Sequence, residues 1–187
     1  MQNRVFLCGG GESLQEGIDL DLWNEIKNEE IWSLNSRYEI MPYAPTRQLW
    51  TDIIFFFGYE KELMKLKEKG CKELIAREVG EFYKEFDITV YQTTAYKEIA
   101  DQKEHLFTSL MGLSGFFALS VAVMRGYKEI YLLGYDNPDQ KHMVSKDFDY
   151  YLQFKESKII NVSPNSNIKA FEKIDYKDMF KRIKENK

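Results

Sequence analysis

Short apolar runs alternate along the chain with longer segments of helical composition. The apolar runs predict strands at RVFLC, EIWSL, TDIIFFF, KELIA, DITVY, KEIYLLG and KIINVS. Helices are predicted at Leu20–Asn28, Tyr59–Lys69, Ser114–Arg125 and Asp147–Lys155, and the lysine-rich end KDMFKRIKENK is expected to form a last helix. This alternation is typical of an α/β fold with a parallel sheet and helices on both faces.

Composition narrows the class of protein. No low-complexity linker or internal repeat interrupts the 187 residues, so we expect a single domain over 1–187. An apolar fraction of 44% and a charged fraction of 30% are those of an ordinary globular protein. A net charge of -4 argues against a nucleic-acid partner bound non-specifically, because the chain has no basic excess to neutralise phosphates.

Targeting signals and cysteines set further expectations. The sequence has neither a signal peptide nor an apolar run of membrane-spanning length, so a cytoplasmic protein without a membrane partner is expected. Cys8 and Cys71 are too few for a disulfide framework or a zinc site. Cys8 is expected to fill the end of a buried strand rather than act as a nucleophile.

The ends of the predicted strands are candidate ligand contacts. In an open parallel sheet, ligands bind outside the carboxyl ends of the strands. The ends predicted here are Gly9–Ser13, Asn35–Arg37, Phe57–Gly58, Gly134–Asp136 and Ser163–Pro164. A binding site is therefore predicted without any known motif.

Three consecutive glycines follow the first strand. Gly9, Gly10 and Gly11 indicate a sharp turn or a close approach of the backbone to an anion. The dinucleotide fingerprint would require a glycine where Leu14 stands, and the Gly-Lys-Ser/Thr tripeptide of a Walker loop is absent. Ser13 or its neighbour Glu12 is expected to cap the following helix.

The stretch from Gly112 to Asp136 is the most informative. Ser114 is expected to cap a helix whose first turn a ligand approaches at Gly115, although an ordinary cap and a packing glycine would look the same. Asp136 delivers a carboxylate at a strand end, where it could hold a ribose hydroxyl, accept a proton or bind a metal. A simple turn or helix cap is the alternative for Asp136.

Other polar residues are candidates for ligand binding or catalysis, and each of them could instead have a purely structural role or none. Asn35 can donate and accept at once, as nucleotide or sugar recognition requires, or it can form an Asx turn. His142 lies in a polar loop and is a candidate general base or phosphate partner, or an exposed histidine without a role. Tyr150 and Tyr151 could contact a phosphate or a base, with one of them facing the core.

The sequence also predicts a core strand and a turn in two further segments. Phe55–Phe57 is expected to belong to a core strand. Asn161–Ser166 is expected to form a turn into a helix at Ile168–Phe171, although its small polar groups could also close the ligand pocket.

Three blocks of this sequence resemble a known family. The order LCGGGESL, IWSLN and SGFFALSVAVMRGYKEIYLLGYD is similar to the bacterial sialyltransferases that use CMP-activated sialic acid. It is also similar to their relatives, the motility accessory factor proteins and the hydroxymethylpterin pyrophosphokinase-like group. The end IINVSPNSNIKAF resembles short phage-encoded proteins of this type.

The resemblance implies a Rossmann-like fold with a nucleotide bound in the crevice. It places Gly9, Gly10, Gly11 and Ser13 against the nucleotide phosphate. It places Asn35, Ser114 and Gly115 at the nucleotide donor. The Gly-Tyr-Asp strand end, with Tyr135 and Asp136, would complete the site, and His142 would be the catalytic base.

The chain also departs from the family pattern. The sialyltransferases carry an asparagine after the third strand, where this chain is expected to have Phe57–Gly58. The sequence is short for a full acceptor-binding lid, and the paired phosphate-binding tyrosines have only Tyr150 and Tyr151 as candidates.

The expected function is a nucleotide-sugar-dependent glycosyltransferase-like activity. Its partner would be a small-molecule nucleotide donor, CMP-linked or otherwise, which acts as substrate rather than as a tightly bound cofactor. A pyrophosphokinase that uses ATP and Mg²⁺, with Asp136 as a ligand, is one alternative. A non-catalytic nucleotide-binding or virion-associated module is another. For each of these functions, the expected location is the cytoplasm, or the host cytoplasm if the protein is viral. The acceptor and self-association of the chain stay open.

Overall fold

The computed structural model describes residues 3–77, 82–95, 106–108, 113–136 and 145–185. Its strands are β1 (Arg4–Cys8), β2 (Ile31–Leu34), β3 (Arg47–Trp50), β4 (Glu73–Arg77), β5 (Thr89–Tyr91), β6 (Thr93–Ala95), β7 (Leu106–Thr108), β8 (Glu129–Leu133), β9 (Lys158–Asn161) and β10 (Glu172–Lys173). Its α-helices are α1 (Ser13–Asp19), α2 (Leu22–Ile26), α3 (Ile53–Glu68), α4 (Ser114–Met124) and α5 (Tyr176–Glu185). Within the described residues, 3-10 helices cover Asn35–Ile40, Phe82–Glu85 and Ser145–Gln153.

The described strands form one open parallel sheet and a small parallel pair. The large sheet has eight strands within the described residues, in the order β10-β9-β8-β1-β2-β3-β4-β5. Every pair in it is parallel, and β6 pairs with β7 apart from it. The chain runs outward from β1 in one direction as far as β5 and then resumes on the other side of β1 with β8. The strand order therefore reverses between β1 and β8.

Helices cover both faces of the sheet, as the sequence predicts. Alternate residues of each strand point to opposite faces, so Phe6 and Leu7 belong to different cores. On one face, Leu14, Leu22 and Met179 of α1, α2 and α5 pack on the central strands. This α/β, Rossmann-like fold with strands buried on both sides explains why β1 and β8 are almost wholly apolar.

Helix α4 lies on the opposite face and is buried nearly all round. Seven consecutive residues, Phe116–Ala122, are buried. A helix lacking a polar face must be covered on several sides, and here Phe148 and Tyr151 of a 3-10 helix pack against Phe116 of α4. None of the helices that the structure describes has the length and apolar character needed to cross a membrane.

The expectation of a strand at TDIIFFF is wrong. Arg47–Trp50 forms β3 instead, and the apolar run lies within the 16-residue helix α3. Asp52 caps this helix, because its carboxylate accepts a hydrogen bond from the Ile54 N–H at 2.8 Å. Phe56 faces the core, whereas Phe57 is 59% exposed, so the triple phenylalanine is not a core strand.

Smaller differences concern the remaining helices. The predicted helix Leu20–Asn28 is shorter, spanning Leu22–Ile26, and the one at Asp147–Lys155 is the 3-10 helix Ser145–Gln153. No helix forms at Ile168–Phe171, where irregular backbone leads into β10. The Ser166 hydroxyl accepts the Ile168 N–H, which holds that segment in a turn.

An ion network ties the amino ends of the strands together. Glu73 at the start of β4 accepts two hydrogen bonds from Arg125 at 2.7 and 2.8 Å and one from Arg47 at 2.7 Å. The two guanidinium groups lie 5.5 and 5.6 Å from the centre of the Trp32 ring. Burial raises the pKa of Glu73, but these donors and Thr89 outweigh it and lower the pKa to about 2.

Candidate functional site

The carboxyl ends of β1 and β8 meet at the reversal of strand order. The glycine loop Gly9–Gly11 follows β1, and Gly134–Asp136 follows β8. The two strands are in register up to Cys8 and Leu133, so these loops leave the sheet side by side. In open α/β sheets, this reversal opens the crevice in which ligands bind. The structure thus brings together two of the segments predicted from strand ends.

Backbone and side-chain hydrogen bonds join the two loops. The N–H groups of Gly9 and Gly11 donate to the carbonyls of Leu133 and Gly134, each at 2.8 Å. The Ser13 N–H donates to the Asp136 carboxylate at 2.6 Å, and the Ser13 hydroxyl donates to the other oxygen of the same carboxylate. Three of the amides predicted to face a phosphate are therefore bonded within the protein.

Close contacts, rather than unusual φ values, explain two of the loop glycines. A Cβ on Gly11 would lie 2.5 Å from the Asp136 carboxylate and 2.6 Å from the Gly134 carbonyl oxygen. A Cβ on Gly9 would lie 2.8 Å from that same carbonyl oxygen. Gly134 itself has φ +66, which a glycine adopts without strain. These glycines allow the two loops to touch.

Tyr135 fills the space between the glycine loop and helix α4. Its side chain is buried, and its hydroxyl donates to the Gly115 carbonyl at 3.1 Å. A Cβ on Gly115 would lie 3.0 Å from the Tyr135 ring. Packing against Tyr135 thus accounts for a glycine at position 115. The sequence allowed this packing role as the alternative to close approach of a ligand.

The segment after β9 closes onto the end of β8. The Tyr135 carbonyl accepts hydrogen bonds from Asn161 Nδ2 at 3.2 Å and from the Ser166 hydroxyl at 2.7 Å. The Asn167 N–H donates to the Asp136 carbonyl at 3.1 Å. The small polar residues of NVSPNS therefore support the backbone that carries Asp136.

Asn35, Ser114 and Thr51 form a hydrogen-bonded chain at the same edge of the sheet. The Ser114 hydroxyl donates to Asn35 Oδ1 at 3.0 Å and lies 3.0 Å from the Thr51 hydroxyl. Because Ser114 has one hydroxyl proton, Thr51 must donate to Ser114. The Asn35 NH₂ group makes no hydrogen bond within the described part of the chain, so this exposed group is available to a ligand.

These contacts correct the expectation that Ser114 caps α4. The cap position is Leu113, which makes no side-chain capping bond, and the Ser114 hydroxyl points across the sheet edge instead. Thr51 occupies the position after the third strand that was expected to hold Phe57–Gly58. The revised end of β3 therefore places a hydroxyl where the sequence reasoning found only apolar groups.

The backbone of Asn35 is held in a left-handed conformation. Its φ is +51, which asparagine tolerates better than most residues. The buried Gln48 side chain donates to the Asn35 carbonyl at 2.7 Å. Gln48 is a residue that sequence reasoning missed, because a polar residue inside a short strand gives no periodic signal.

Arg37 is a second residue whose importance the sequence did not reveal. The sequence marks it only as part of the strand-end segment Asn35–Arg37. In the structure its guanidinium packs beside Gly10, and a Cβ on Gly10 would lie 3.3 Å from Arg37 Nε. The glycine loop therefore has a positive charge on its exposed side.

The cysteine, tyrosine and histidine candidates do not join this hydrogen-bonded site in the described structure. Burial raises the pKa of the Cys8 thiol to about 12, so it stays protonated and belongs to the core as predicted. Tyr151 is buried, with its hydroxyl against Ser120 and the Phe116 carbonyl, whereas Tyr150 is half-buried. His142 lies outside the described residues.

Across the described ranges, no group of three or more His, Cys, Asp or Glu residues lies close enough together to hold a metal ion. Asp136 uses both carboxylate oxygens to accept hydrogen bonds from Ser13.

Comparison with known proteins identifies solved structures of the same fold. No family model matches the chain, and no curated protein matches it. The sialyltransferase CstII from Campylobacter jejuni, in complex with the substrate analogue CMP-3FNeuAc, is 17% identical, with a TM-score of 0.60 over 93% of this chain and 86% of that one. A second CstII structure, in complex with CMP, is 18% identical, with a TM-score of 0.61 over the same shares. The chain therefore has the fold of the CstII sialyltransferases.

Proposed function

We propose that the protein binds a nucleotide-activated sugar and acts as a sialyltransferase-like glycosyltransferase. The observation that supports this most is the position of the polar side chains. Asn35, Ser114 and Thr51 come from three separate elements and meet beyond the carboxyl ends of β2 and β3. Gly115, next to Ser114, contacts Tyr135, which in turn packs beside Gly9 of the glycine loop. The CstII structures of the same fold were solved with CMP or a CMP-sugar analogue, which makes a pyrimidine nucleotide the first donor to test.

Each site residue has a role in this proposal. The Asn35 NH₂ group would donate to the nucleotide or sugar, while Ser114 and Thr51 hold its amide in a fixed orientation. Asp136 would fix the glycine loop through Ser13, and its oxygens retain lone pairs for a ribose or sugar hydroxyl. His142 remains the proposed base that takes the acceptor proton. Gly10 and Tyr135 would contribute through the backbone, since the Tyr135 side chain is buried.

A thermal-shift panel tests nucleotide binding. We expect CMP or a CMP-sugar at about 100 times its dissociation constant to stabilise the protein by about 2.7 kcal/mol without added metal. For a chain of this length that corresponds to a rise in melting temperature of about 5–10 °C. UMP, GDP, ADP, UDP-sugars and ATP, each with and without Mg²⁺, complete the panel.

The other outcomes of the panel separate the alternatives. Stabilisation by ATP only when Mg²⁺ is added would replace the glycosyltransferase with a pyrophosphokinase. Stabilisation by a nucleotide without turnover of any sugar donor would indicate a binding module. An unchanged melting temperature with every nucleotide would contradict nucleotide binding altogether.

Asn35→Asp tests the donor group without removing its support. Aspartate tolerates the left-handed backbone and can still accept the Ser114 hydroxyl, but it has no N–H to donate and adds a negative charge. We expect CMP affinity to fall at least about tenfold, with a free energy of unfolding within about 0.5 kcal/mol of wild type. Calorimetric titration and urea unfolding measure the two quantities.

The control for Asn35→Asp is Asn28→Asp. Asn28 is exposed and precedes β2, at the opposite edge of the sheet, and the substitution makes the same change in net charge. It should leave CMP affinity unchanged. Equal affinities for wild type and Asn35→Asp would remove Asn35 from the proposed site.

A further inference from the structure

Arg37 differs from the four arginines of the described residues that pair with a glutamate. Arg4 pairs with Glu29, Arg182 with Glu172, and both Arg47 and Arg125 with Glu73. Arg37 makes no hydrogen bond or ion pair with any group in the described ranges. It is also half-buried, so its guanidinium is positioned by contact with the protein rather than free in solvent.

The contact that positions Arg37 is with the exposed middle of the glycine loop. Both Nε and one terminal nitrogen of the guanidinium lie 3.3 Å from where a Gly10 Cβ would stand. The N–H groups of Gly9 and Gly11 are used by β8 and its loop, but the Gly10 N–H donates to no described group. A planar cation and an unused backbone donor therefore lie next to each other.

The nearby carboxylate does not neutralise this charge by pairing with it. Asp136 accepts its hydrogen bonds from Ser13 rather than from Arg37. A guanidinium presents several N–H donors in a fixed plane, which matches the oxygens of a phosphate and permits two parallel hydrogen bonds. An arginine held against a glycine loop is thus suited to a phosphate group.

We propose that Arg37 and the Gly10 N–H bind the phosphate of the nucleotide donor. This inference rests on the proposed function and specifies which part of the donor the glycine loop recognises. During transfer, the bond between the anomeric carbon and the phosphate oxygen breaks, and its electron pair stays on that oxygen. The acceptor hydroxyl forms the new bond and gives its proton to the base. The departing nucleoside monophosphate gains one negative charge, which Arg37 stabilises.

Comparison of CMP with cytidine tests the assignment. We expect Arg37→Gln to weaken CMP binding by about 10- to 100-fold, because a hydrogen-bonded charge pair is lost. Binding of cytidine, which has no phosphate, should be unchanged. Arg37→Lys, which keeps the charge but not the planar fork, should fall between wild type and Arg37→Gln. Calorimetric titration gives all the affinities.

A charge-matched control comes from the other edge of the sheet. Lys128→Gln makes the same change in net charge next to β8, where the Lys128 amine pairs with the exposed Glu156 side chain. It should not alter CMP affinity. Equal CMP affinities for wild type and Arg37→Gln, or an equal loss for cytidine, would overturn the assignment of Arg37.

Inorganic phosphate separates this inference from the proposed function. In ¹⁵N NMR spectra of the full chain, phosphate should shift the Gly10 amide of wild type but not that of Arg37→Gln. If phosphate does so while every nucleotide in the panel fails, the anion site stands and the proposed function is wrong. If neither phosphate nor any nucleotide perturbs the wild-type protein, both proposals are wrong.

Discussion

Gly11→Ala is expected to lower the free energy of unfolding by about 3 kcal/mol, the upper range for an added methyl group in a packed site. The new Cβ would lie 2.5 Å from the Asp136 carboxylate and 2.6 Å from the Gly134 carbonyl oxygen. The carbonyl belongs to the backbone at the end of β8, so it cannot turn aside as a flexible side chain would. Relief requires that the two loops separate, which would break the bonds from Ser13 to Asp136.

Gly10→Ala is the matched control for this steric effect. Its Cβ would meet only the end of the Arg37 side chain at 3.3 Å, and its φ is not positive. We expect the free energy of unfolding to stay within about 0.5 kcal/mol of wild type, or to rise slightly because alanine restricts the unfolded chain. Urea unfolding of both variants measures the contrast. Equal losses at the two positions would mean that contact with the end of β8 does not explain the glycines.

Glu73→Gln is expected to destabilise the protein by about 3 kcal/mol at neutral pH. Removing one partner of a buried ion pair leaves the other charge uncompensated, which typically costs about 3–5 kcal/mol, and because Glu73 is only partly buried we place its loss at the lower end. Arg47 and Arg125 would lose their shared carboxylate at the amino edge of the sheet. Arg47 keeps its contact with Glu30, so we expect Arg125 to carry most of the loss.

The pH dependence of this effect has a defined sign. Burial raises the pKa of Glu73, but hydrogen bonds from Arg125, Thr89 and Arg47 lower it overall, from the ordinary 4.5 to about 2. The stabilisation is therefore complete above the pKa of the unfolded chain and is lost as the pH falls toward 2. Urea unfolding between pH 7 and pH 2.5 should show the gap between wild type and Glu73→Gln narrowing below about pH 4.5.

Glu156→Gln provides the control for the acid dependence. Glu156 also pairs with a cation, Lys128, but its side chain is 89% exposed and solvent screens the pair. Its stability difference from wild type should be small at every pH. A gap for Glu73→Gln that stays constant with pH would contradict the role of its ionised carboxylate.

The sequence pattern predicted the wrong segment for the third strand. The seven residues that begin at Thr51 end in an apolar run of five, Ile53–Phe57, which has the length and composition of a strand. The actual strand, RQLW, carries two polar residues because Arg47 belongs to the edge ion network and Gln48 holds the Asn35 backbone. Both exceptions arise from contacts with residues distant in sequence, which a local pattern cannot contain.

The candidate site was only partly predictable for the same reason. Strand ends and glycines placed Gly9–Gly11, Asn35, Ser114 and Asp136 at one edge of the sheet, and the structure brings these segments together. Which polar atoms are used internally was not predictable. Asp136 is bonded to Ser13 and Tyr135 is buried against Gly115, whereas Arg37 keeps an unpaired guanidinium. Such outcomes depend on distances between loops that are far apart in sequence, 123 residues in the case of Ser13 and Asp136.

The sequence by itself determined the α/β class, the parallel sheet and the position of helix α4. Alternating apolar runs and helical segments encode these features locally, because strand and helix periodicity follow from backbone geometry. The tertiary structure decided where β3 ends, why Gly9 and Gly11 must lack side chains, and which donors face the crevice. The physical reason is that steric contact and hydrogen-bond pairing between loops are set by how the strands are ordered in the sheet, and no local pattern specifies that order.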